Sequence, residues 1–190
     1  AAIALLSDNA ATHSNKAHIS LATAQGIAAR IYLVEHEWKK AGDNAALALS
    51  NYPLMNPSDY TSGFNSANNS EWMWGSSYSS EQYEGLGILD FISFMDPNCP
   101  GYASVGATRA ITKDLYDHIS STDVRKQCWN SNNFMQKKFR SQNTSGFQAD
   151  YCYMRSAEMY LILAEAQARQ GLTADATTTL EFLVATRDPN

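Results

Sequence analysis

The sequence predicts a mostly α-helical chain: two tetratricopeptide-like helical hairpins, at about 17–53 and 154–189, around an irregular, loop-rich insert at about 54–150. Three observations predict it. Apolar and alanine residues recur at helical spacing in both end segments. The two segments place small and apolar residues in matching slots, as repeated helical pairs do. The stretch between them is rich in Asn, Ser, Gly, Tyr and Trp and carries no long periodicity. The 190 residues suit one domain, and 44% apolar residues suffice for a core.

In the first hairpin, Leu21, Ala24, Ala28 and Ile31 mark one helix stripe, widened by Ile27 and Val34, with Ser20 placed to cap it. A break near Glu35–Trp38 precedes a second helix through Ala41, Ala45, Ala48 and Leu49. Gly42 weakens that helix by roughly 1 kcal/mol relative to Ala, and Pro53 lies beyond its end. The order Ala29, Tyr32, Ala41, Ala45, Ala48, Pro53 is a tetratricopeptide-like spacing, degenerate because Gln25 stands where that repeat has Trp. Trp38 at the bend is expected to be structural.

In the second hairpin, Met154, Ala157, Leu161, Ala164 and Ala168 define one face, and Gly171 ends the helix. Thr173 or Leu172 opens the next helix, with Ala176, Leu180 and Leu183 expected inward and Pro189 beyond its end. Ala164, Ala176, Leu180 and Leu183 repeat the slots of Ala29, Ala41, Ala45 and Ala48. Glu165 and Arg169 sit four apart as a surface pair.

The insert reads as loop from Asn51 to Asn69 and a short extended or helical piece at Glu71–Trp74. An apolar segment follows at Ile88–Met95, then a helix at 109–119 facing inward through Ile111, Leu115 and Ile119. Residues 134–140 and 147–153 are candidates to pair as strands. A connection this long is usually functional or has structure of its own.

Composition excludes several functions. Net charge is −5 and no Lys/Arg cluster of nucleic-acid type occurs, Lys137-Lys138-Phe139-Arg140 being the densest basic run. His13, His18, His36 and His118 are scattered without metal-ligand spacing, and no nucleotide or nucleophile-elbow fingerprint occurs. Neither metal nor cofactor is expected. Cys99, Cys128 and Cys152 lack zinc or redox spacing and read as three partly buried thiols, although one disulfide is open. No apolar run is long enough to span a membrane. The opening Ala1–Asp8 reads as helix interior and not as a signal peptide, so the sequence reads as an internal piece of a longer chain.

Residues 150–171 resemble a segment of the SusD/RagB family. Asp150 precedes Arg155, then come Ala157-Glu158, a hydrophobic run, Ala164-Glu165-Ala166 and Gly171, with Ala176, Leu180 and Arg187 fitting the close. Three further stretches are similar in order: Ala29-Arg30-Ile31-Tyr32-Leu33 before a Trp and an Ala-rich helix; Tyr52-Pro53-Leu54 leading to Asn69-Ser70-Glu71-Trp72-Met73-Trp74; and Leu115-Tyr116-Asp117 followed by Asp123 and Arg125. The resemblance implies a SusD-like helical fold and non-catalytic capture of glycans, or of other nutrient oligomers, at the surface of a Bacteroidetes outer membrane. It implies a SusC-like TonB-dependent transporter as partner, an oligo- or polysaccharide ligand, and contact with the membrane only through a lipid anchor outside this sequence.

Sugar capture needs flat rings for the C–H faces of pyranoses and amides for the hydroxyls. Rings near polar loop residues are Trp72, Trp74, Tyr78, Tyr83, Tyr102 and Trp129; Asn65, Asn68, Gln82, Asn130 and Asn132 are hydroxyl partners. At least one of Trp72 and Trp74 is expected in the core. Arg155 with Glu158, and Asp123 with Arg125, read as structural ion pairs. The alternative is a tetratricopeptide-like protein-interaction scaffold. A third reading, a glycan-processing enzyme, rests on Asp90 and Asp96 as the first carboxylates to test.

Overall fold

The computed structural model describes residues 2–8, 15–79, 81–82, 87–106 and 108–190. Helices predominate: α1 (Ala2–Asp8), α2 (Leu21–Val34), α3 (Trp38–Ala48), α4 (Pro57–Tyr60), α5 (Phe91–Met95), α6 (Lys113–His118), α7 (Ser156–Arg169) and α8 (Thr173–Ala185). Strands β1 (Trp72–Ser76) and β2 (Tyr151–Arg155) form a two-stranded sheet. The chain separates into two compact units: one of residues 1–54, 70–75 and 152–186, the other of 55–69, 76–151 and 187–190.

The first unit is built from the two hairpins. Ser20 caps α2 by accepting the Thr23 amide. The bend at 35–37 is a Schellman closure, in which the Glu37 amide donates to Tyr32 O and the His36 amide to Leu33 O. The bend at 170–172 has the same bonds, from the Leu172 amide to Gln167 O and the Gly171 amide to Ala168 O. Left-handed residues fall at His36 (φ 60°) and Gly171 (φ 79°). Leu21 with Ser156, Val34 with Arg169, His36 with Gly171 and Trp38 with Thr173 all keep one constant offset, so the repeat seen in the alanine slots extends to the helix boundaries and turns.

Helices pack in the order α2, α3, α7, α8. Small residues allow it: Ala29, Ala41, Ala45 and Ala48 are fully buried with Met159, Ile162 and Ala166 of α7 and Met73 and Met154 of the strands. Gly42 belongs to this approach, since a Cβ there would lie 3.3 Å from the Ala166 Cβ. The glycine that weakens an isolated helix is what admits the neighbouring one.

Packing also corrects several expected faces. Ile31 and Val34 of α2 are exposed, because that helix is contacted through Thr23, Ala24, Gly26 and Ala29. Leu161 (51% exposed) and Leu180 (44%) point outward, while Met159, Ile162, Ala176 and Leu183 point in. Met154 is buried as expected, but on β2 and not on a helix.

The second unit uses its Asn, Asp and Thr content to start short helices with side-chain caps: Asn56 for α4, Asp90 for α5 and Thr112 for α6. One buried cluster joins Ile92, Cys99 and Ala149, with Phe147 and Tyr151 against them. Edge-to-face ring contacts run through Tyr60–Phe64, Phe64–Phe139, Phe91–Phe139 and Phe91–Tyr151. Arg187 enters this unit, donating to Met55 O at 2.8 Å with its guanidinium 4.3 Å over the Tyr60 ring.

Helix 109–119 is shorter than expected. Ala110 bridges Met135 instead, and Leu115 is exposed. Strand pairing of 134–140 with 147–153 is replaced by the β1–β2 pair and by single bridges Ala110–Met135 and Trp129–Gln136. The cause is Glu71, which takes Arg155 as its ion partner and accepts the Ser156 amide on its carbonyl, so 151–155 is held beside 72–76.

Candidate functional site

Residues 124–137 form a compact loop. Asp123 caps a 3-10 turn over Val124–Cys128 and holds Arg125 through both carboxylate oxygens. The chain then runs out and back: Lys137 N donates to Cys128 O at 2.7 Å and Asn130 N to Met135 O at 2.9 Å. The reversal at the tip is fixed by Asn130, whose side-chain oxygen accepts the Asn132 amide at 2.8 Å, and by Phe134 in the left-handed region (φ 58°). Lys126 secures α6 against the loop, donating to Ile119 O at 2.7 Å with its ammonium 4.9 Å over the Tyr116 ring.

The result is an open concavity of about 400 Å³ lined by Tyr116, Ser121, Lys126, Gln127, Trp129, Asn130, Ser131, Asn132 and Lys137. A half-buried indole stands beside primary amides, hydroxyls and two ammonium groups. No carboxylate and no imidazole is among these lining residues. Such a wall can stack against an apolar ligand face and exchange hydrogen bonds with hydroxyls. It holds no pair of acid groups for proton transfer to a glycosidic oxygen.

Trp129, Asn130 and Asn132 of the expected set therefore meet in one place. The other expected residues do not join them. Trp72 is fully buried and offers no ring face; it is a core residue because strand β1 is covered at that position. Trp74 is half-buried in the first unit and packs edge-on to the exposed Tyr153, centroids 5.2 Å apart. Tyr78 lies against Tyr151 at 4.8 Å, and Tyr102 is stacked on Phe94 at 4.6 Å, so one face of each ring is already used. Tyr83 lies outside the described residues. Asn65 is spent on the Arg140 carbonyl; Asn68 and Gln82 are exposed, with Gln82 accepting the Ser79 amide. Lys126, Lys137 and Tyr116 were missed as site members. The basic run at 137 was the available signal, but only folding shows that Lys137 faces the Trp129 wall.

The conspicuous charged residues serve structure. Glu71, with a fully buried side chain, pairs with Arg155 at 2.7 Å. Glu158 pairs with Arg30, whose Nε and Nη2 reach its two oxygens at 2.6 and 2.5 Å. Arg155 and Glu158 thus find distant partners and not each other. Asp90 caps α5 and accepts the Tyr151 hydroxyl; burial, then this bond, pushes the phenol above its usual range. Asp96 accepts Asn98 N, Asn98 Nδ2 and the Ser141 amide, with Cys99 Sγ at 3.5 Å. Both carboxylates are 1% exposed and committed to local donors.

The three cysteines are free. Burial pushes Cys99 up to about 11 and Cys152 up to about 12, and raises Cys128. Among the described residues no group of three or more His, Cys, Asp or Glu is placed to hold a metal ion, and no helix is long and apolar enough to cross a membrane.

Residues 93–183 match the SusD family model. Among solved structures, a SusD-like carbohydrate-binding protein from Bacteroides vulgatus is 27% identical with a TM-score of 0.79, over 98% of this chain and 42% of that one. A SusD superfamily protein from Bacteroides vulgatus is 20% identical with a TM-score of 0.79, over 98% and 46%. Surface glycan-binding protein A from Bacteroides uniformis is 17% identical with a TM-score of 0.65, over 95% and 47%. The chain thus spans less than half the length of these solved proteins. No curated protein sequence matches it at a comparable level.

Proposed function

We propose that this chain, which is of the SusD/RagB family, captures carbohydrate without transforming it, and that the concavity beside Trp129 is a place of contact. The observation that carries the reading is the composition of that wall: an indole next to Gln127, Asn130 and Asn132, with no carboxylate lining it. The similar B. vulgatus protein is carbohydrate-binding and the B. uniformis protein glycan-binding, which agrees with it. In the whole protein the captured glycan passes to a SusC-like TonB-dependent transporter at the outer-membrane surface, and the protein is held there by a lipid anchor.

One face of an indole covered by a pyranose removes enough apolar surface for on the order of 2 kcal/mol. Affinity for a short oligosaccharide is therefore weak, and Trp129 carries much of it. Trp129→Ala is expected to weaken binding of a glycan by about thirtyfold, by that energy, in calorimetry or affinity electrophoresis against a broad polysaccharide panel. Unchanged affinity in the variant would move the site elsewhere. Silence of the parent chain across glycans would remove the function.

The scaffold reading keeps one observation in its favour. Leu161, Ala164, Ala168, Ala176 and Leu180 line an apolar cleft of about 460 Å³ along α7 and α8. A helix laid there would bury Leu161 and Leu180, which now face outward.

A further inference from the structure

We infer that the Trp129 concavity prefers acidic saccharides, carrying carboxylate or sulfate groups, over neutral ones. This rests on the carbohydrate reading above and adds the ligand's charge.

The chain as a whole is acidic, at −5, yet the lining of this wall holds two ammonium groups and no carboxylate. The neighbouring carboxylates have partners outside this wall, and Asp188 accepts the Thr122 hydroxyl at 2.5 Å. Asp123 is held by Arg125 at 2.6 Å. On α6, Asp117 is paired with Lys113, and Asp114 faces His118 at 3.6 Å. Lys126 is bound to neutral groups, the Ile119 carbonyl and the Tyr116 ring, and among the described residues it makes no salt bridge. Lys137 is exposed and lies on the return arm of the loop, its amide on Cys128 O.

An anion on a pyranose stacked against Trp129 would meet the Lys126 and Lys137 ammonium groups of the same wall, next to the ring that holds the sugar. Lysine acts as a point charge rather than a planar fork, so carboxylate and sulfate ester are both served.

The test uses the full chain with oligogalacturonides, the same oligomers as methyl esters, a sulfated oligosaccharide, and a neutral glycan panel. The acid is expected to bind about tenfold more tightly than its ester at low ionic strength, and the ratio to shrink towards one in 0.5 M salt, where screening is short-ranged. Lys137→Gln, with unchanged thermal unfolding, is expected to narrow the ratio to within about threefold, as a lost partly exposed charge contact would. The two charged probes separate a carboxylate preference from a sulfate preference. Equal binding of acid and ester with no sulfate preference, or binding of neutral glycans alone, overturns the charge preference and leaves carbohydrate capture standing. No binding of any probe overturns both.

Discussion

Glu71 shows how far a single side chain reaches in this molecule. Its carboxylate is wholly buried on Arg155, and its carbonyl receives the first amide of α7. Removing the cation alone takes the Arg155 ion partner from a buried carboxylate. Arg155→Met is therefore expected to cost about 3 kcal/mol, and Glu71→Gln with Arg155→Met to recover part of it; chemical denaturation of the three chains measures the difference. Arg30–Glu158 is partly exposed on both sides, so its loss should cost about 1 kcal/mol or less. The cysteines give a second residue-scale prediction. Cys99 and Cys152 hold their protons to about 11 and about 12, so at pH 8 few thiolates exist. Native protein should label slowly with iodoacetamide at both, followed by mass spectrometry, and rapidly once unfolded. The lack of zinc or redox spacing pointed to partly buried thiols, but the full enclosure of Cys99 and its contact with Asp96 are set only by folding.

At the scale of elements, the two hairpins obey one local turn rule and fill its left-handed position with different residues. Both turns need a left-handed position; the second uses glycine and the first His36, whose ring stacks on Trp38 at 4.9 Å. Gly171→Ala is expected to destabilise by about 1–2 kcal/mol, visible as a shift in the denaturation midpoint without a change in slope. Ala45 lies at zero exposure in the α3 face that meets α7. Ala45→Leu should cost about 1–3 kcal/mol by overpacking, and Leu161→Ser, on the outward face, far less. The alanine slots and the glycine made the hairpins legible in advance. The inward stripe was less legible: Leu161 and Leu180 have the right period but are about half exposed, at 51% and 44%.

For the whole molecule, buried acids that keep their protons set the alkaline limit. Cys99, Cys152, Cys128 and Tyr151 all titrate later folded than unfolded. The unfolded chain releases protons first as pH rises past about 8.5, so it binds fewer protons than the folded one and stability falls with pH. The loss should begin near pH 9 and continue to about 12, with little dependence from these groups below; urea midpoints across that range check it. The second unit adds side-chain caps to a core that includes Met55, Tyr60, Phe64, Ile92, Cys99 and Ala149.

What the sequence by itself determined is what short-range physics determines: helix spans from alanine periodicity, the Ser20 cap, the Gly171 turn, the SusD/RagB resemblance carried by local strings, and a loop-rich middle. Tertiary structure alone decided which of several equivalent faces is buried, that Arg155 finds Glu71 and not Glu158, that Trp72 is enclosed, and that Trp129 stands open beside Lys126 and Lys137. The reason is range. A cap or a turn is satisfied within a few residues, whereas burial and ion pairing are settled by whichever distant segment arrives, and a single chain does not mark its neighbours in space.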